Sequence, residues 1–392
     1  MTMKEWESSR IANLPPYLFE RINRQKIQAR SEGRDVIDLG MGNPDLPTPA
    51  HIIAKLKEVA DDPKAHRYSA SKGIKGLRKA IVEWYRKRFS VNLDADKEVV
   101  AVIGSKEGLC HFALAAFNPG DAVLVPNPSY QAHWFPFTIA GVKTVDLPLL
   151  PDNDFLPDFR KVKSGIHHRP KALLLSYPHN PTTQVADLDI MEEAVDFCRQ
   201  KGLFLIHDLA YGELVFDGHS APSILQVPGA KEIAIEFYSL SKTYSMAGWR
   251  VGFAVGNEKL VGALIKLKSY YDYGIFTPIQ VAAVAALNGP QDCVALHRET
   301  YQKRRDVMVS GLQRIGWDVP IPPATMYIWA PLPHKYVSMG SLDFASFLLE
   351  KAEVVVSPGV GFGSYGEGYV RIALVENEQR LRQAVRNIGR VL

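Results

Sequence analysis

The chain has 392 residues, of which 46% are hydrophobic and 22% charged, too long for one average domain and too apolar for a disordered chain. Forty-six Lys and Arg against 42 Asp and Glu leave a formal charge of +4 with no long basic block, so no nucleic-acid or membrane partner is expected and the ligand should be small. Cys110, Cys198 and Cys293 lie far apart with no C-x-x-C spacing, and the first ten residues are polar, which fits a reducing cytoplasm and excludes a disulfide framework.

In chain order, a helical segment over Tyr17 to Glu32 and a short strand at Val36 to Leu39 are too little to fold alone. A helix follows over Gly76 to Phe89. Seven strands are then predicted, at Val99 to Ile103, Ala122 to Pro126, Val142 to Leu147, Ala172 to Tyr177, Leu203 to His207, Ile233 to Tyr238 and Val251 to Val255. Several are apolar throughout, as strands covered on both faces should be, and helical stretches such as Leu188 to Lys201 alternate with them. After Asn288-Gly289-Pro290 come a long charged helix to Ile315, β-like runs at Met326 to Ala330 and Tyr369 to Leu374, and a basic terminal helix. The expected fold is α/β, with a three-layer αβα large domain over 46–288 built on a mostly parallel seven-stranded sheet. A smaller α/β domain over 289–392 is joined by the N-terminal arm, residues 1–45.

Chemistry concentrates in one segment between two predicted strands, Ser239-Leu240-Ser241-Lys242-Thr243-Tyr244-Ser245-Met246-Ala247-Gly248-Trp249-Arg250-Val251-Gly252. It combines an amine nucleophile, a hydroxyl three residues before it and a fork-shaped anion binder eight residues after it, with small residues between that permit close backbone approach. The segment resembles the lysine signature of the fold type I, pyridoxal-phosphate-dependent aminotransferases of classes I and II. The similarity runs from about Leu14 to the C-terminal helix.

That resemblance implies that Lys242 bonds to the cofactor, while Ser239 and Arg250 hold its phosphate. Gly104, Ser105 and Lys106, in a glycine turn that opens a helix, would complete the phosphate cup with backbone N–H groups. Asp208, after an apolar strand, would face the ring nitrogen, Tyr211 and Asn180 the ring hydroxyl, and Tyr130 the ring itself. Tyr68, in His66-Arg67-Tyr68-Ser69, matches a tyrosine that reaches the phosphate of the neighbouring subunit, which implies a homodimer with shared sites. For the substrate carboxylate, Arg371 in the strand Tyr369 to Leu374 supplies the planar donor, with the amide of Gly42 beside it. Asn180 and Tyr17 would also border the substrate, the latter within an apolar start that could act as a lid.

The implied reaction is ping-pong transfer of an amino group between an L-amino acid and a 2-oxo acid. The segment Lys268 to Thr277 is aromatic and has no arginine, which disfavours aspartate. Met41-Gly42-Asn43-Pro44-Asp45 and Ser357-Pro358-Gly359-Val360-Gly361 are most similar to bacterial alanine (glutamate–pyruvate) aminotransferases, with LL-diaminopimelate aminotransferases in the same subgroup. A lyase or decarboxylase on this fold would keep the same cofactor residues. Gly361-Phe362-Gly363-Ser364-Tyr365-Gly366 satisfies G-x-G-x-x-G but precedes a strand instead of opening a helix, so it does not imply a dinucleotide. No histidine spacing suggests a metal.

Overall fold

The computed structural model describes residues 6–12, 14, 19–162 and 170–392. Numbered along the chain, the strands are β1 (Ile37–Asp38), β2 (Val99–Val102), β3 (Ala122–Asn127), β4 (Lys143–Pro148), β5 (Pro170–Leu175), β6 (Phe204–Asp208), β7 (Ala234–Ser239), β8 (Gly252–Gly256), β9 (Tyr327–Pro331), β10 (Val354–Val355), β11 (Ser357–Pro358) and β12 (Tyr369–Ala373). The seven predicted central strands are β2 to β8, and all lie in one sheet in the order β2-β8-β7-β6-β5-β3-β4. β8 runs antiparallel to both its neighbours, while the pairs among β3 to β7 are parallel. β2 therefore points the same way as β7.

Side chains leave a strand alternately to its two faces, so apolar runs feed two cores at once. Val99, Leu173, Leu205 and Phe253 pack on one face with Trp84 and Tyr85 of the Lys75–Phe89 helix and with Met191 and Val195 of the Leu188–Lys201 helix. Val100, Leu174, Ile206 and Phe237 pack on the other with Leu109 and Phe112 of the Ser105–Ala116 helix and Leu264 of the Glu258–Tyr271 helix. The result is three layers. The helix Leu188–Lys201 has the predicted bounds because Asp187 accepts the N–H of Ile190 at its start and Gly202 takes a left-handed turn, φ 67°, at its end. β4 closes the sheet as an edge strand, with Lys143 and Asp146 exposed, charges that discourage pairing with another chain.

A third core joins the two ends of the chain. Ile22 and Ala29 of the Phe19–Ser31 helix, Ile37 and Leu39 pack with Met308, Trp317, Ile328, Leu348, Ile372 and Leu381. β1 pairs parallel with β10, and β12 lies between β11 and β9 in an antiparallel sheet. Tyr211, Leu214 and Phe216, just beyond β6, enter this same core and tie it to the central sheet. No helix among the described residues is long and apolar enough to cross a membrane.

Candidate active site

The ends of β5, β6 and β7, with the turn after β2, open on a cavity of about 370 Å³ lined by residues of both the sheet and the third core. Strand carboxyl ends are where open α/β sheets take their ligands. Ser105, Lys106, Tyr130, Asn180, Asp208, Tyr211, Ser239, Lys242, Arg250, Gly42 and Arg371 all line it. Residues more than three hundred positions apart are thereby brought to one place.

Lys242 sits in the single helical turn Leu240–Thr243, whose start is capped by Ser239 Oγ accepting the N–H of Ser241 at 3.2 Å. Its Nζ donates to the carbonyl of Gly42 at 2.8 Å. Burial lowers the ammonium's pKa below 10.5; Tyr327 opposes the shift, while Arg371 and Arg250 add to it. The amine is thus held closer to its neutral, nucleophilic form.

Arg250 occupies the left-handed region, φ 54°, and donates to Ala247 O at 2.9 Å. Gly104, φ 81°, lies against it, and a Cβ there would run into the guanidinium. Glycine is therefore required on two counts, conformation and space. Glu107 accepts the N–H of Ile103 at 2.8 Å, bracing the turn, and the first N–H groups of the Ser105–Ala116 helix have no intrahelical acceptors. An anion between Arg250 and this helix end would meet charge and donors together.

Asp208 is buried. Its Oδ2 lies 2.9 Å from His133 Nε2, and His133 Nδ1 lies 2.7 Å from Ser129 Oγ. A carboxylate only accepts, so Nε2 carries the hydrogen and Nδ1 takes the hydroxyl of Ser129. Oδ1 has no hydrogen-bond partner. The Tyr130 ring stands edge-on to His133 with centroids 5.8 Å apart.

Arg371, on β12, is 6% exposed and does not face water. Nη1 donates to Asn180 Oδ1 at 2.8 Å and Nη2 to Gly40 O at 3.0 Å, while the guanidinium stacks between Tyr327 at 4.1 Å and Phe362 at 4.7 Å. Its Nε is buried without an acceptor. Gly42 has no room for a side chain, because a Cβ would overlap the Tyr327 hydroxyl.

Tyr68 does not border this chain's cavity. It is 86% exposed and packs on the ring of Tyr273 at 4.5 Å. Tyr17 lies outside the described residues.

Among the cavity residues not foreseen are Tyr327, His133, Lys26 and Asp38. Tyr327 bonds to Tyr211, hydroxyl to hydroxyl, at 2.9 Å. Burial raises its pKa, but Arg371, Lys242 and the Tyr211 hydrogen bond outweigh that and lower it, whereas burial pushes Tyr211 up. His133, Lys26 and Asp38 also line the cavity. Tyr327 lay within a predicted strand as one aromatic among several, and His133 in a loop without periodicity, so neither carried a local signal. Glu107, His111 and Asp272 converge outside the cavity in a manner that could hold a cation, but the ammonium of Lys268 already pairs with Asp272 at 2.9 Å and Glu107 at 3.5 Å.

Residues 34–388 match the family model for aminotransferase class I and II, and the chain belongs to that family. It is an enzyme, an aminotransferase, and its cofactor is pyridoxal phosphate. Among its relatives, the glutamate-pyruvate aminotransferase AlaC of Escherichia coli is 50% identical, with 99% of this chain and 94% of that protein aligned. The LL-diaminopimelate aminotransferase of Moorella thermoacetica is 46% identical over 98% of each chain. The substrate-bound structure of BacF from Bacillus subtilis superposes with a TM-score of 0.94 at 37% identity, covering 98% of this chain and 97% of that one.

The residues present fit that cofactor. An unpartnered buried carboxylate oxygen costs about 1–3 kcal/mol unless a donor meets it, and Asp208 Oδ1 is such an atom. A protonated ring nitrogen is a suitable donor. The Gly104 cradle beside Arg250 suits the phosphate, and Lys242 is the amine within the cavity that burial keeps reactive.

Proposed function

We propose that this aminotransferase exchanges amino groups between alanine and 2-oxoglutarate by a ping-pong mechanism, in the cytoplasm and as a homodimer. The observation that carries the catalytic part is the convergence of Lys242, Asp208 and Arg371 on one cavity. The choice of alanine is supported by the Escherichia coli glutamate–pyruvate relative, and the segment Lys268 to Thr277, which has no arginine, argues against aspartate. Homodimerisation is supported by an exposed aromatic patch of Tyr68, Tyr270, Tyr271, Tyr273 and Phe276, of a kind that marks an interface. In such a dimer Tyr68 would reach the phosphate held by a second copy.

When bound, pyridoxal phosphate supplies an electron sink for the pair left as the substrate Cα–H bond breaks. Arg250, Ser239 and the N–H groups of Gly104, Ser105 and Lys106 hold the phosphate. Asp208 keeps the ring nitrogen protonated through Oδ1, its own orientation set by His133. Asn180 and Tyr211 bind the ring hydroxyl, and Tyr130 packs on the ring. Lys242 would hold the cofactor at rest and, once the incoming substrate amine displaces it, its freed neutral Nζ would take the Cα proton. Arg371, with Gly42 and Asn180 beside it, takes the substrate carboxylate through donors that include the unpartnered Nε.

A second reading, LL-diaminopimelate as the donor, is favoured by the Moorella thermoacetica relative. The two separate in a panel of amino donors, alanine, glutamate, aspartate and LL-diaminopimelate, tested with pyruvate and 2-oxoglutarate. The highest kcat/KM for alanine with 2-oxoglutarate upholds the first reading. A higher value for LL-diaminopimelate replaces it.

A further inference from the structure

We propose that Lys26 and Asp38 are positioning residues for the substrate carboxylate, a proposal that rests on Arg371 being its anchor. Lys26 belongs to the Phe19–Ser31 helix and Asp38 ends β1, and both line the cavity wall. Lys26 Nζ meets Asp38 Oδ2 at 2.8 Å, with the two side chains only 13% and 19% exposed.

The other oxygen of Asp38 leads toward the anchor. Oδ1 accepts the N–H of Gly40 at 3.0 Å, and Gly40 O accepts both Arg371 Nη2 at 3.0 Å and Ser357 Oγ at 2.7 Å. Two residues on, Gly42 O accepts Lys242 Nζ at 2.8 Å. Gly40 itself has no slack, since a Cβ would lie 2.9 Å from Val355 Cγ1 and 3.3 Å from Asp38 Oδ1. One short segment thus orients the guanidinium that grips the substrate and the amine that acts on it.

The pair divides two duties. Asp38 Oδ1 pins the backbone, while Lys26 cancels a carboxylate charge that would otherwise repel the anion entering the cavity. Asparagine at 38 can keep the first duty and needs no cation for the second.

The test uses the holoenzyme with propionate, a bare carboxylate, measured by calorimetry, together with KM and kcat for alanine. Lys26→Met should weaken propionate and raise KM roughly tenfold, with kcat changed less than about threefold and the absorbance of bound cofactor unaltered. Lys26→Met with Asp38→Asn should recover most of that loss, and Asp38→Asn alone should bind within about threefold of wild type, which also serves if the lysine variant fails to fold. Asp38→Ala, which loses the pin, should not be rescued by Lys26→Met. Propionate binding unchanged in Lys26→Met, a double variant no better than the single, or Asp38→Asn alone weakened tenfold would each overturn the proposal. Arg371→Lys binding propionate as wild type does would instead remove the anchor assignment, whatever Lys26 does.

Discussion

Asp208 and His133 share a hydrogen bond of 2.9 Å on one carboxylate oxygen, and the other oxygen stays buried and unpartnered at the cavity. The histidine fixes the orientation of the carboxylate, and the free oxygen defines where a donor must come. Asp208→Asn keeps the shape and removes the charge. Its kcat should fall by roughly 10²–10³ while the phosphate contacts still retain the cofactor. Single-turnover absorbance with alanine separates the two effects, and a kcat within tenfold of wild type would exclude Asp208 from the role assigned to it.

Lys242 makes the pH dependence of stability testable in the cofactor-free protein. Burial depresses its pKa below the 10.5 of an unfolded lysine. The unfolded chain therefore binds the proton more tightly, and folding carries a penalty that is full below the folded pKa and vanishes above about 10.5. Lys242→Met should be more stable than wild type at pH 7, by a margin that shrinks as the pH rises toward 10.5. Urea unfolding across that range checks the sign, and a margin that widened with pH would contradict it.

Gly104→Ala confronts both the positive φ and the Arg250 guanidinium. Strain of about 1–3 kcal/mol should appear as a cofactor dissociation constant raised roughly 10- to 100-fold. Equilibrium titration of the apoprotein with pyridoxal phosphate measures it. Fold stability without cofactor should fall as well, by about 1 kcal/mol, because the positive φ strains alanine even where the arginine swings away.

Glu236 is fully buried on β7 and accepts from Tyr85 OH, Ser223 Oγ, Ile224 N and His207 Nδ1, all at 2.7–2.8 Å. Glu236→Ala would strand four donors at once and should lower stability by about 3–5 kcal/mol. Because His207 is the residue before Asp208, cofactor affinity should fall with it. Glu236→Gln, which retains an acceptor, should cost less. Thermal unfolding of both variants decides, and equal losses would argue that packing rather than hydrogen bonding matters there.

Much of this was legible along the chain because the signals are local. Seven apolar runs bounded by turn residues became the seven strands of one sheet, and Asp187 and Gly202 marked both ends of a helix. Lys242 and Arg250 lie eight residues apart on one loop, so their company could be read directly. Arg371 was harder. On an isolated strand a charge usually faces solvent, and it is buried here because Tyr327 and Phe362 close on it and Asn180 reaches it from the turn after β5.

The chain's order of residues is sufficient for the layer architecture and for the segment that carries Lys242 and Arg250, since each depends on neighbours a few positions away, and the resemblance of that segment to a known family is what nominates the other cofactor residues. The partners of those residues depend on contacts across the whole molecule. His133 on Asp208, Tyr327 on Tyr211, Gly42 on Lys242 and Lys26 on Asp38 join positions from 12 to 200 residues apart. Such pairs carry no periodicity or spacing of their own. They exist only once burial has closed the sheet and the third core around the cavity, where a polar group must find a partner or remain at a cost.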